Sequence, residues 1–69
     1  MSQCDMIMQH LKDHGTITPR EALTDYGIMR LGARIYDLKK SGIRITRQTV
    51  EAENKFGDLT RFAQYRLEE

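Results

Sequence analysis

The chain has 69 residues, of which 39% are hydrophobic and one is cysteine, and its 11 Lys and Arg against 10 Asp and Glu give a formal net charge of +1. A chain of this length buries only about 60% of the surface that its unfolded form exposes, which argues against a large catalytic cavity and predicts a single domain over residues 1–69. A lone cysteine excludes an internal disulfide, and no apolar run is long enough for a membrane span, so we expect a soluble, cytoplasmic protein.

The first predicted element is an amphipathic helix over residues 2–14. Ser2 and Asp5 have the spacing of a capping box at its start, and Gly15 is placed to end it. Its apolar residues recur at helical spacing, at Cys4, Ile7, Met8 and Leu11.

The second predicted element is a short helix that begins in the segment TPRE. Thr18 is its N-cap, Pro19 takes the first helical position, and Glu21 takes the third, from which it can reach back to the cap. Gly27 ends the helix after barely two turns, so it must be stabilised by packing on its neighbours. We expect its inward residues to be Ala22, Leu23 and Tyr26.

The third predicted helix runs from Ile28 or Met29 to Ser41, with Gly42 as its left-handed C-terminal residue. An interior glycine, Gly32, costs about 1 kcal/mol relative to alanine, and we attribute it to close approach of the preceding helix. Two helices joined by a tight glycine turn form a helix-turn-helix unit. The expected buried stripe is Ile28, Leu31, Ile35 and Leu38.

After Gly42 the hydrophobic period changes to that of a strand, which continues through Val50. The segment NKFGD predicts a turn, and residues 59–67 predict a second strand with Ala63, Tyr65 and Leu67 on one face. A three-residue turn with Gly57 in a bulge makes paired positions sum to 112, with Val50 opposite Phe62 and Glu51 opposite Arg61. Thr16 and Ile17 are a possible short third strand at the sheet edge.

The segment IMRLGARIYDLKKSGIRI, with GTITPREAL before it and the hairpin after it, resembles the recognition-helix region of winged helix-turn-helix domains. The resemblance covers nearly all of residues 5–67 and is strongest to small bacterial and phage proteins. It implies an α+β fold of three helices followed by a two-stranded β-hairpin wing. It also implies binding of double-stranded DNA, with a recognition helix at about residues 29–41 in the major groove and a wing at about 43–67 on the backbone or minor groove. No cofactor is implied.

Charge is concentrated where this resemblance places DNA. Residues 18–49 carry seven basic side chains against three acidic ones, or +4, while the segments on either side are acidic. Arg30 and Arg34 are expected to project near each other and to read guanine, whereas Arg20 and Lys40 are better placed for phosphates. Asp37 could orient these arginines, accept from a cytosine amine or repel DNA. The predicted DNA-binding residues are Arg20, Met29, Arg30, Ala33, Arg34, Tyr36, Asp37, Lys40, Arg44, Arg47 and Lys55.

Other functions have weaker support in the sequence. His10 and His14 have the spacing of a zinc-protease helix, but Leu11 stands where the catalytic glutamate would be, so we expect no metal site. We find no nucleophile with a base and no phosphate loop, and expect no enzyme activity. The predicted function is that of a small transcriptional regulator or recombination accessory factor, which acts as a homodimer through the first helix or the wing edge. The alternative is a protein-interaction module on the same fold, such as a phage-encoded inhibitor of a host nucleoprotein complex.

Overall fold

The computed structural model describes residues 1–68, which form three helices and one three-stranded sheet with extents of 40 × 24 × 21 Å. The predicted order of elements, including the short strand after the first helix, is confirmed. In chain order the elements are α1 (Gln3–His14), β1 (Thr16–Ile17), α2 (Pro19–Tyr26), α3 (Leu31–Lys40), β2 (Ile45–Glu53) and β3 (Leu59–Leu67).

Both predicted capping boxes are present. The Ser2 hydroxyl accepts from the Asp5 amide at 3.1 Å, and the Asp5 carboxylate accepts from the Ser2 amide at 3.3 Å. At the start of α2 the Thr18 hydroxyl accepts from the Glu21 amide at 3.2 Å, and the Glu21 carboxylate accepts from the Thr18 amide at 3.0 Å. Because Thr18 directly follows β1, this cap fixes where α2 leaves the sheet.

The sheet is antiparallel with the order β1-β3-β2, and its β2–β3 register is the predicted one. Val50 lies opposite Phe62 and Glu51 opposite Arg61. The turn is closed by backbone bonds of Asn54 to Gly57 and Asp58, and Gly57 has a left-handed φ of 83°. A glycine in a three-residue loop therefore sets the pairing of all nine residues of each strand.

The core lies between the helices and one face of the sheet. All four residues of the predicted stripe on the third helical segment are buried, and so is Tyr65 from β3. The expected face of Ala63, Tyr65 and Leu67 is confirmed, since the two flanking residues pack against this core half-buried. The buried hydrophobic residues are Ile7, Leu11, Ile17, Ala22, Ile28, Leu31, Ile35, Leu38, Ile45 and Tyr65.

The predicted start of α3 is wrong by two to three residues. The Gly27 amide donates to the Leu23 carbonyl and the Ile28 amide donates to the Ala22 carbonyl, so Ile28 belongs to the C-terminal cap of α2. The backbone is not helical until after Arg30, whose φ and ψ are −117° and 61°. Residues 27–30 are therefore the turn of the helix-turn-helix unit.

The start of the first long strand is also later than predicted. The Ile43 amide donates to the Leu38 carbonyl, because Ile43 still takes part in the C-terminal cap of α3, and β2 begins at Ile45. Gly42 has the expected left-handed φ, at 96°. The wing proper is thus β2, β3 and their turn.

Two further predictions, about the packing of Leu23 and Gly32, are wrong. Leu23 is 52% exposed, because only Ala22 and Tyr26 of α2, one turn apart, face the core. Gly32 is not required by the preceding helix either. A methyl group there would meet only the Tyr65 hydroxyl, at an ordinary 3.7 Å.

Candidate nucleic-acid interface

Helix α3 and the turn before it present one continuous exposed surface. Met29 is 84% exposed and Tyr36 is 61% exposed, while the charged residues Arg30 and Lys40 are also open to solvent. Ala33, expected on this surface, is half-buried. The exposed methionine and tyrosine can supply apolar contacts of the kind made to thymine methyl groups at base edges.

Arg34 lies at the border between this surface and the core. Its Nη2 is 3.2 Å from the Asp37 carboxylate, and the two side chains are 38% and 48% exposed. Its Nε is buried and has no hydrogen-bond partner among the described residues. Of the roles left open for Asp37, the structure shows pairing with Arg34, one turn earlier on the same helix. Asp37 therefore restricts the direction of the Arg34 guanidinium in the free protein.

The last turn of α3 holds a cation against an aromatic ring. The Lys40 ammonium lies 5.5 Å from the centroid of Tyr36, a cation–π distance. Lys40 forms no ion pair with a carboxylate of residues 1–68. Its charge is available to a phosphate, and the ring limits where the ammonium can go.

The tip of the wing carries the predicted Lys55 and, beside it, an aromatic ring that was not predicted from the sequence, Phe56. The Lys55 ammonium lies 5.3 Å from the centroid of Phe56, and Phe56 is 79% exposed. The signal was present in the sequence: a three-residue hairpin turn has no interior in which to bury an aromatic side chain. An exposed apolar ring beside a lysine is suited to a minor groove, where wing-like elements insert apolar side chains.

The two arginines predicted at the base of the wing lie on opposite faces of the sheet. Arg47 is directly opposite Tyr65 and so shares its face, the one that meets the start of α3 at Gly32. Arg44 continues the other face and lines a depression of about 630 Å³ with Lys12 and Arg66. The structure therefore brings Arg47 to the side of α3, and leaves Arg44 in a separate depression near the end of α1 that Glu68 also lines.

Arg20 lies at the first turn of α2, exposed and without an ion pair to any carboxylate of residues 1–68. It lines a cleft of about 640 Å³ between this turn and the wing face that carries Val50 and Phe62. A cation beside the N-terminus of a helix is well placed for a phosphate, since the helix dipole has the same sign there.

A buried polar group connects α1 to α2 behind this surface. The Nδ1 of His10 is 2.7 Å from the Tyr26 hydroxyl, and its Nε2 is 3.6 Å from the Glu21 carboxylate. Desolvation by burial, and then the carboxylates of Asp25, Asp13 and Glu21, raise the pKa of Tyr26 above its ordinary value. His10, whose spacing from His14 suggested only a metal ligand, thus links α1 to Tyr26 of α2 through Nδ1, while its buried Nε2 has no hydrogen-bond partner among residues 1–68.

His14 stacks near His10, with ring centroids 4.6 Å apart, but no cluster of three or more His, Cys, Asp and Glu side chains suitable for a metal forms within residues 1–68. None of the helices described is both long and apolar enough to cross a membrane.

These elements form a surface with a central helix, a cationic side chain at each end of that helix and a projecting hairpin. Comparison with known proteins gives the same description of the fold. A family model described as a winged helix-turn-helix domain matches residues 2–69. Neither a curated protein nor a solved structure matches the chain.

Proposed function

The chain belongs to the winged helix-turn-helix domain family, which suggests DNA binding in general, and from that premise we propose that it binds double-stranded DNA sequence-specifically as a small transcriptional regulator or recombination accessory factor. Helix α3 enters the major groove, and the wing lies along the backbone with its tip in the minor groove.

The observation that supports this proposal best is the distribution of unpaired charge. Arg30, Lys40 and Arg47 are exposed and have no acidic partner among residues 1–68, although the chain as a whole is nearly neutral. Of the two ion pairs that residues 1–68 form between an arginine and a carboxylate, Arg34–Asp37 lies on α3 and Glu51–Arg61 lies on the sheet. Asp37 is the one acidic side chain of α3.

The proposed residue roles follow from exposure and position. Arg30 and Arg34 read base edges, because an arginine fork matches the two acceptors of guanine in the major groove. Lys40, Arg20 and Arg47 hold phosphates, which gives affinity without sequence preference. The remaining proposed contacts are Met29, Ala33, Tyr36 and Asp37 on the helix surface, Arg44 near the end of the sheet, and Lys55 with Phe56 at the wing tip.

The experiment is a titration of fluorescent duplexes in two steps. A site is first selected from a random duplex pool, and binding to that site and to a scrambled duplex is then measured at several salt concentrations. We expect the logarithm of the association constant to fall linearly with the logarithm of salt concentration for both duplexes. The ratio of affinities for the selected and the scrambled duplex should be larger at moderate salt. Lys40→Ala should weaken both duplexes alike, whereas Arg30→Ala and Arg34→Ala should bring the selected site close to the scrambled one.

Lys12→Ala is the matched control, because it removes one positive charge from α1 at a residue that is not among the proposed contacts. If it lowers affinity as much as Lys40→Ala, the binding depends on net charge alone and the proposed surface is wrong. Absence of duplex binding even at low salt would contradict the proposal and favour the protein-interaction module.

A further inference from the structure

The outer edge of β2 is long, regular and open. In the sheet order β1-β3-β2, no strand of residues 1–68 pairs with the second side of β2. The strand has nine residues, contains no proline, and keeps one register with β3 from end to end. Natural proteins usually shorten, bulge, interrupt or charge such an edge, because its unpaired amides and carbonyls are a template for another strand. Of these devices β2 has only charge, at Arg47, Glu51 and Glu53, so a partner strand must match these charges.

The backbone bonds at the two ends of β2 show which groups face this edge. The Asn54 amide donates to Asp58, and the Arg44 carbonyl accepts from Glu68, so even-numbered residues bond to β3. Bonded and non-bonded pairs alternate in an antiparallel ladder, and the odd-numbered residues, from Ile45 to Glu53, therefore direct their amides and carbonyls to the open edge. Any partner strand must bond to these five residues.

We propose that the partner is a second copy of this chain, with the two β2 strands paired antiparallel about a two-fold axis at Thr49. Thr49 is the middle residue of β2, so only this axis overlaps the whole strand with its copy. This register places odd-numbered residues of one copy opposite odd-numbered residues of the other, as the unpaired amides and carbonyls require. It gives about ten hydrogen bonds between the chains. The result is a continuous six-stranded sheet.

The charged side chains of β2 support the same register, and this argument does not depend on the length of the strand. With the axis at Thr49, Arg47 of each copy lies directly opposite Glu51 of the other, and this pair occurs twice. Glu51 already bonds to Arg61 on β3 at 3.0 Å, so its carboxylate would lie between two guanidinium groups on one face of the sheet. Directly opposed unlike charges stabilise an antiparallel pair, and like charges destabilise it.

The two-fold axis is perpendicular to the sheet, so residues opposite each other share a face. The Arg47 faces of both copies, which meet the starts of their α3 helices, therefore lie on the same side. In so far as the proposed DNA binding is correct, this dimer presents two recognition helices to one duplex and fits an inverted repeat. In the dimer Arg47 is paired with Glu51, so the phosphates are held by Lys40 and Arg20.

The test measures mass in solution without DNA, so that its failure is distinct from failure of DNA binding. Sedimentation velocity from about 10 µM to about 1 mM should show a reversible monomer–dimer equilibrium for the unchanged chain. Arg47→Glu and Glu51→Arg should each weaken dimerisation about tenfold or more, since each opposes like charges twice. An equimolar mixture of these two variants should recover a heterodimer, because its charges alternate again.

Two further variants separate register and backbone pairing from charge. Glu53→Arg is the matched control, as Glu53 lies opposite Ile45 in this register and the variant should dimerise nearly normally. Thr49→Pro removes an amide that faces the open edge and not β3, so the variant should fold, as judged by circular dichroism, but remain monomeric.

The proposal is overturned if the unchanged chain stays monomeric over the whole range or if folded Thr49→Pro dimerises normally. Failure of the mixture to recover a heterodimer also overturns it. A stronger effect of Glu53→Arg than of Glu51→Arg would place the axis at Val50 and reject the proposed register.

Discussion

Asp37 is the one acidic side chain of α3, the helix proposed to enter the major groove, and its removal should increase DNA affinity. The change is Asp37→Asn, which keeps the shape of the side chain and deletes its charge. In the free protein the Arg34–Asp37 contact is between partly exposed groups at 3.2 Å, one turn apart on a helix. Such a pair contributes about 0.2–1 kcal/mol, so the variant should fold with only a small loss of stability.

The effect on DNA affinity is of similar size to this loss of stability, and it is favourable. A carboxylate held roughly 6–8 Å from a phosphate in water is repelled by about 0.5–0.7 kcal/mol, and two neighbouring phosphates make this about 1 kcal/mol. Screening at about 0.1 M salt, where the Debye length is about 10 Å, reduces the gain to about threefold in affinity. Released from Asp37, Arg34 can also neutralise a phosphate, which steepens the salt dependence by up to about 0.9 in slope.

The assay is fluorescence anisotropy on a scrambled duplex, at low salt and at about 0.5 M salt, where screening should remove the gain. The matched control is Asp13→Asn, which makes the same change of net charge on α1, where Asp13 accepts a hydrogen bond from Gln9. We expect the Asp37→Asn variant to bind the scrambled duplex more tightly than the Asp13→Asn variant does. Equal affinities, or weaker binding by Asp37→Asn, would refute the placement of α3 against phosphates.

Three further outcomes are expected. Gly32→Ala should raise the free energy of unfolding by about 0.5–1 kcal/mol in urea denaturation, because the new methyl group meets only the Tyr65 hydroxyl at 3.7 Å; a loss of stability would contradict the packing described. Phe56→Ala should leave the melting temperature nearly unchanged, since the ring is exposed, but should lower DNA affinity about tenfold; unchanged affinity would exclude the wing tip from the interface. The pKa of Tyr26 is raised above 10.0 in the folded protein, so its stabilising contribution should be complete below pH 10 and lost as the pH rises through the folded value. Denaturant midpoints measured against pH would show this loss, and Tyr26→Phe should abolish it.

The features that sequence predicted well depend on short stretches of chain. The capping boxes at Ser2 and Thr18 need only residues three positions apart, and the hairpin register needs only a glycine turn and alternating side chains. Each of these signals is local, so the remainder of the chain cannot override it easily.

The errors arose where two parts of the chain compete for the same residue. Ile28 fits the apolar stripe of α3, but its amide completes the cap of α2, and the helix therefore begins later. Gly32 was assigned to a contact between helices, whereas its neighbour is Tyr65, far away in the chain. The spacing of His10 and His14 gives no sign that His10 is buried, because only the fold supplies the Tyr26 hydroxyl that bonds to its Nδ1.

The direction of α3 is set by groups that no DNA can reach. The turn before it is held by the Ile28 amide on the Ala22 carbonyl, and both of these side chains are buried. Substitutions at these two positions would change the angle of α3 relative to the core, and so which bases it contacts, although no exposed side chain is changed. A selection for new target sequences should therefore randomise these two buried residues as well as the exposed ones.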